Sequence, residues 1–259
     1  MQKMLGYMRK AIHEFDLIQN GDRIAVGVSG GKDSLVLLKG LVLLQRFIGI
    51  DYEVVAITLD PCFGGVQTDY TPVQALCEEL GVEYILERTR IGEIVFDIRK
   101  EKHPCSLCAK MRRGALHETA KAHGCNKLAL GHHYDDAIET FMMNLFTEGR
   151  LGCFAPKSYL SKRDLWMIRP MVFAPERDVR KAAERNALPI VKSKCPADGT
   201  TSRQKMKEFL REREKEDDGF KFRLFGAMRR ADLDGWGGTT FGQNKSEMKN
   251  EKQRENEKN

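Results

Sequence analysis

No stretch of this sequence is long and apolar enough to span a bilayer. The longest apolar run, 35–50, is broken by Lys39, Gln45 and Arg46 and reads as a buried helix. Residues 1–10 carry charge but lack the apolar segment and small-residue cleavage site of a secretory leader. The expectation is a cytoplasmic protein with no membrane partner. A disulfide framework is also missing: there are seven cysteines, an odd number, in a compartment expected to be reducing. Metal or sulfur chemistry explains them better. No internal repeat is present. The formal net charge of +6 is compatible with a nucleic-acid partner without identifying one. From 242 to 259 the only apolar residue is Met248, so that tail is expected to be disordered.

What is present is enough for a core. The chain has 259 residues, 41% of them hydrophobic, which suits one large domain or a domain with an appendage. Met4–Asp16 has the pattern of a short amphipathic helix. Short apolar runs at 24–28, 54–59, 82–86 and 127–130 read as buried strands. Helical patterns at 35–47, 70–80, 105–123 and 135–146 lie between and after them. Such alternation predicts an α/β fold, a Rossmann-like parallel sheet with helices on both faces. Ligands of such sheets bind beyond the carboxyl ends of the strands. After Arg169-Pro170 three charged helices are expected, at 175–187, 202–216 and 220–231. The predicted organisation is therefore an N-terminal helix over 1–20, a nucleotide domain over 21–170 and a helical C-terminal extension over 171–235.

The first strand runs directly into Ser29-Gly30-Gly31-Lys32-Asp33-Ser34, and a helix follows. Glycines allow backbone N–H groups to approach an anion, the helix offers its positive end, and Lys32, Ser29 and Ser34 add donors. This is not a Walker A loop, because Val26 stands where that pattern needs glycine and Asp33 follows the lysine. The hexapeptide resembles the PP-loop of the ATP pyrophosphatase superfamily, whose members cleave ATP between the α- and β-phosphates and adenylate a substrate. The resemblance implies a grip on pyrophosphate, assisted by Mg²⁺. Asp60, at the end of the second strand, matches a position near the adenosine; it could equally cap a turn. Gly131, His132, His133, Asp135 and Asp136 follow the fourth strand. Either aspartate could serve Mg²⁺ or the reacting groups, and Asp135 could instead cap the next helix. Adjacent histidines on a strand end point apart, so no His–His metal site is expected.

Cys105-Ser106-Leu107-Cys108 is a C-x-x-C pair open to zinc, thiol redox or iron–sulfur chemistry. The sequence holds no second such pair to complete a four-cysteine zinc site. Cys195 lies far downstream between lysines and proline, in surroundings that favour a thiolate. Three thiolates would leave one iron of a 4Fe-4S cluster open to an exogenous ligand. Cys62, Cys77, Cys125 and Cys153 are expected to fill core space. Arg112 and Arg113, a turn after Cys108, are candidates to position phosphate or a reacting base.

The runs Cys105–Gly114, Gly131–Asp136 and Ile168–Pro170, with Gly21-Asp22-Arg23, resemble the tRNA 2-thiocytidine synthetases, the TtcA family. The similarity extends from about Leu5 to about Met228. It implies an ATP-dependent tRNA sulfurtransferase acting on an anticodon-loop cytidine, at position 32. ATP would adenylate O2 of the base, sulfur carried on the open iron would attack C2, and AMP would leave. It also implies Cys105, Cys108 and Cys195 as cluster ligands, a tRNA partner, a homodimer, and a sulfur donor that is a persulfide or sulfide from a cysteine desulfurase. Basic residues crowd the C-terminal part, but those around Arg211, Arg213 and Lys215 alternate with acids and read as a solvated helix. Three alternatives stay open: a tRNA 2-thiouridine synthetase of the same superfamily, a cluster-free PP-loop ligase acting on an amine, and a zinc-stabilised nucleic-acid-binding protein.

Overall fold

The computed structural model describes residues 1–99, 104–192, 194–196 and 202–237. The tail expected over 242–259 lies outside these, as does Ser193. Six strands form one sheet in the order β3-β2-β1-β4-β6-β5. They are β1 (Asp22–Gly27), β2 (Tyr52–Asp60), β3 (Glu83–Arg88), β4 (Lys127–Ala129), β5 (Lys157–Leu160) and β6 (Leu165–Ile168). All neighbours are parallel except β5, which runs antiparallel to β6.

Among the described residues eight α-helices accompany the sheet. They are α1 (Gln2–Glu14), α2 (Lys32–Leu44), α3 (Thr71–Leu80), α4 (Pro104–Ala122), α5 (Tyr134–Glu148), α6 (Glu176–Arg185), α7 (Ser202–Glu216) and α8 (Phe220–Arg230). The strands divide their side chains by period two. Ile24, Val26 and Ala129 join one core with α1, α2, α5 and α6. Ala25, Val55, Ile57 and Leu128 join a second core under α4. Both faces of the sheet are covered, which is why its central strands read as continuous apolar runs.

Strand order explains where the site lies. From β1 the chain proceeds outward through β2 and β3, then returns to place β4 on the other side of β1. The loops leaving β1 and β4 therefore diverge around a crevice at the carboxyl edge. Ser29–Ser34 and Gly131–Asp136 are those two loops.

The structure adds an element that periodicity missed, the hairpin β5–β6. Each of its strands has four residues, too few for an alternation signal, and β6 completes the parallel set beside β4. The C-terminal helices pack on the α/β core. Leu210, Phe225, Met228 and Trp236 belong to the same core as α1 and α2. Trp236 is fully buried, with Phe15, Phe154 and Phe225 within 6.2 Å of its ring and its indole N–H donating to Phe154 O.

Candidate active site

The loop after β1 is built to leave amides free. Gly30 sits at φ 82°, in the left-handed region that glycine adopts without strain. Ser34 Oγ accepts from Ser29 N and donates to Gly31 O, closing the loop on itself. Among the described residues no side chain caps the N-terminus of α2, whose N-cap is Gly31. Uncapped first-turn amides, a positive helix end, two hydroxyls and Lys32 together suit a polyphosphate.

The loop after β4 is pressed against it. A Cβ on Gly131 would lie 3.1 Å from Asp33 C and 3.1 Å from Ser34 N, so only glycine allows this approach. The neighbouring histidines part ways, as expected. His133 is the N-cap of α5 in a capping box: its amide donates to Asp136 Oδ2 at 2.9 Å, and its ring accepts from Asp136 N. His132 turns into the crevice, stacks on Phe154 with centroids 4.8 Å apart, and accepts from Arg169 Nε through Nδ1 at 3.1 Å. Burial, then Arg169, pushes the His132 imidazole down to about 3. It stays neutral and carries its proton on Nε2.

The cap expected at Asp135 is corrected, and both aspartates have partners on the C-terminal helices. Asp135 is not the helix cap; His133 is. The Asp135 carboxylate accepts from Glu176 N and from Lys221 Nζ, both at 2.7 Å, and so faces the C-terminal helices. Asp136 pairs with Arg203 at 3.3 Å. Neither aspartate lines the cavity beside the loop. Asp60 takes the turn role: it is fully buried, and its oxygens accept from Cys62 N and Thr68 N, fixing the loop after β2. Asp33 differs from all three. Its Oδ1 is buried with no hydrogen-bond partner among the described residues. The His133 ring lies beside it, with Nε2 3.7 Å away. A buried carboxylate oxygen without a hydrogen bond, next to a phosphate loop, is an atom that a hard cation can satisfy.

The cavity has a volume of about 500 Å³. One wall is Gly27, Val28 and Ser29, the approach to the loop. Another is Ala109, Arg112 and Arg113, on the helix that carries the C-x-x-C pair. Its floor, which includes Ile57, Leu59 and Leu130, can accept an aromatic base. Its rim carries four guanidinium groups, with Arg169 and Arg203 joining Arg112 and Arg113. Burial pushes Arg169 down to about 10, so it remains a cation.

Cys105 and Cys108 lie on α4, the helix whose Ala109, Arg112 and Arg113 line the cavity. Cys105 is exposed and Cys108 buried, one turn apart. Cys195 reaches them because its segment is pinned to the nucleotide loop. Val191 N donates to Gly30 O at 3.0 Å, and Lys194 Nζ donates to Gln67 O at 3.1 Å. Burial raises the Cys108 thiol; Arg112 pulls it down, and Cys195 and Cys105 push it up, so the three sulfurs lie within electrostatic reach. Among the described residues no three metal-binding side chains are gathered closely enough to hold an ion as they stand. Three thiols are the donor type that a 4Fe-4S cluster takes. Of the four expected fillers, Cys77 and Cys125 are buried. Cys62 and Cys153 are half-buried, and Cys62 has the left-handed φ of 50°.

Sequence reasoning missed Arg203, Thr140 and Phe154 as lining residues, and Glu176, which pairs with Lys32. Arg203 was legible only as one cation among many. Its three partners Asp136, Glu139 and Thr140 on α5 single it out.

A PP-loop domain profile matches residues 4–214. The tRNA-cytidine(32) 2-sulfurtransferase of Citrifermentans bemidjiense is 41% identical over 222 residues, which is 85% of this chain and 86% of that protein. The chain belongs to this family. The same-named protein of Geotalea daltonii is 42% identical over 222 residues, covering 85% of this chain and 87% of its own. Among solved structures, the U34-tRNA thiolase NcsA from Methanococcus maripaludis, with its 4Fe-4S cluster, superimposes with a TM-score of 0.72. It is 27% identical, and the match covers 89% of this chain and 78% of that one. The family match runs beyond Cys195 through α6 and nearly all of α7, in accord with the shared core. No helix among the described residues is long and apolar enough to cross a membrane.

Proposed function

We propose that this protein is an ATP- and 4Fe-4S-dependent tRNA sulfurtransferase that converts cytidine 32 of the anticodon loop into 2-thiocytidine. The observation that carries the proposal is the shared cavity: Ser29, the first residue of the nucleotide loop, lines it, and so do Ala109, Arg112 and Arg113 on the helix that bears the C-x-x-C pair. ATP and a sulfur carrier can therefore address one base. Relatives about 40% identical over most of both chains favour cytidine over the uridine of the more distant thiolase.

The loop amides of Gly30, Gly31 and α2 bind the β- and γ-phosphates, aided by Lys32, Ser29 and Ser34. Asp33 would hold Mg²⁺, which would offset phosphate charge there. Cytidine O2 attacks the α-phosphorus, the bond to the bridging oxygen breaks, and pyrophosphate departs. The four arginines around the cavity balance the negative charge that develops on phosphate oxygens. His132 offers Nε2–H as a fixed donor from the cavity wall. Gly131 keeps the β4 loop close enough to hold this geometry. Cys105, Cys108 and Cys195 would hold the cluster, and the chemistry it would supply is sulfur as a nucleophile at neutral pH. Attack of that sulfur at C2 would release AMP and leave 2-thiocytidine. Asp135 and Asp136 act here by position, through Glu176 and Arg203. Asp60 shapes the loop over the adenosine side.

A cytoplasmic homodimer, loaded by a cysteine-desulfurase-derived persulfide or sulfide, completes the proposal. Cys105→Ala tests it. Iron and acid-labile sulfide should fall to background after anaerobic purification, and 2-thiocytidine formation should stop. Full thiolation by that variant, or a protein that binds zinc alone, would contradict the proposal.

A further inference from the structure

Lys32 is tethered on two sides. Its ammonium lies 3.1 Å from Asp33 Oδ2 and 3.3 Å from Glu176 Oε1. The same Glu176 oxygen accepts from Lys207 Nζ at 2.7 Å. Glu176 opens α6, where the helix end favours an anion. Its amide donates to Asp135 Oδ2 at 2.7 Å, and Asp135 Oδ1 is held by Lys221 at 2.7 Å. A line of contacts thus runs from Asp135, through the backbone and side chain of Glu176, to the lysine of the nucleotide loop.

The charges are firm. Burial pushes the Glu176 carboxyl up, but Lys207 and Lys32 outweigh it and bring it to about 2. Glu176 is therefore a carboxylate at any working pH.

We infer that Glu176 is a positioning residue for Lys32, holding its ammonium over the loop before the pyrophosphate portion of ATP arrives, with Asp135 fixing Glu176 in place. The inference rests on the nucleotide role proposed above for the loop. A free lysine samples many rotamers, and ordering it only on binding weakens affinity. The second lysine has a purpose in this arrangement. When Lys32 turns to the phosphates, Lys207 still neutralises Glu176, so no bare carboxylate faces the polyanion.

The test is calorimetric binding of ATP with Mg²⁺, and separately of AMP, to the anaerobically purified full-length protein. Glu176→Gln should weaken ATP about tenfold, as loss of a charge-assisted contact does. AMP, which lacks the pyrophosphate, should bind as before. In a Lys32→Met background Glu176→Gln should have no further effect, and Glu176→Asp, which keeps the charge, should lose less than Glu176→Gln. Asp135→Asn should show a smaller loss, again for ATP alone. Unchanged ATP affinity, equal losses for ATP and AMP, or additivity with Lys32→Met would overturn the inference and leave Glu176 as a docking point for α7. Failure of the unaltered protein to bind ATP would overturn the nucleotide role itself, and the inference with it.

Discussion

At the scale of single residues, His132 is the most constrained group in the cavity. Its folded pKa, about 3, lies below the ordinary value of 6.5. As pH falls below 6.5 the unfolded chain takes up a proton that the folded protein refuses, so stability declines. The slope from this group is about 1.4 kcal/mol per pH unit, and it ends near pH 3. His132→Asn, which keeps an acceptor for Arg169, should flatten urea-unfolding stability between pH 6.5 and 4.5. An unchanged slope would mean that His132 ionises freely. Glu139 shows the opposite sign. Burial first, then Asp136, pushes it up to about 7, against Arg203 and Lys207. Its contribution is complete below the ordinary value of 4.5 and is lost as pH rises toward 7. Glu139→Gln should therefore remove a stability loss across that window, read by the same unfolding series.

At the scale of elements, the contacts that hold the site are made between loops. Gly131→Ala forces the β4 loop away from Asp33 and Ser34, whose backbone atoms cannot yield as a flexible side chain would. A cost of about 1–3 kcal/mol is expected, with weaker ATP binding, measured by thermal unfolding and calorimetry. Arg203 joins α7 to α5 through Asp136, Glu139 and Thr140. Arg203→Met removes a half-exposed cation shared by Asp136, Glu139 and Thr140, and should cost about 1 kcal/mol while lowering the thiolation rate. Loss of rate without loss of stability would give Arg203 a purely chemical role.

The same scale shows what a sequence can and cannot disclose. The nucleotide loop was legible because strand, glycines, lysine and helix are contiguous, and their chemistry follows from local geometry. The C-x-x-C pair was legible for the same reason. Asp135 was not: a carboxylate after a strand looks catalytic or capping, and its actual partners, Glu176 N and Lys221, come from helices remote in sequence. Nothing local announces that Val191 bonds to Gly30, yet that bond helps deliver Cys195 to the site. The hairpin β5–β6 escaped because four-residue strands carry almost no periodic signal.

At the scale of the whole molecule, the sheet order brings two loops around one crevice, and the C-terminal helices close over it from the same core. The segment that carries Cys195 is joined to the nucleotide loop by the bond from Val191 N to Gly30 O. The central claim is that this single cavity adenylates and thiolates cytidine 32. Mass spectrometry of nucleosides tests it most directly, applied to tRNA from a strain lacking this gene and from the same strain carrying the intact or the Cys105→Ala form. The expected result is loss of 2-thiocytidine, restored by the intact form and not by the variant, with thiouridines unchanged. Retention of 2-thiocytidine in the deletion strain, or loss of a thiouridine in its place, would contradict the claim.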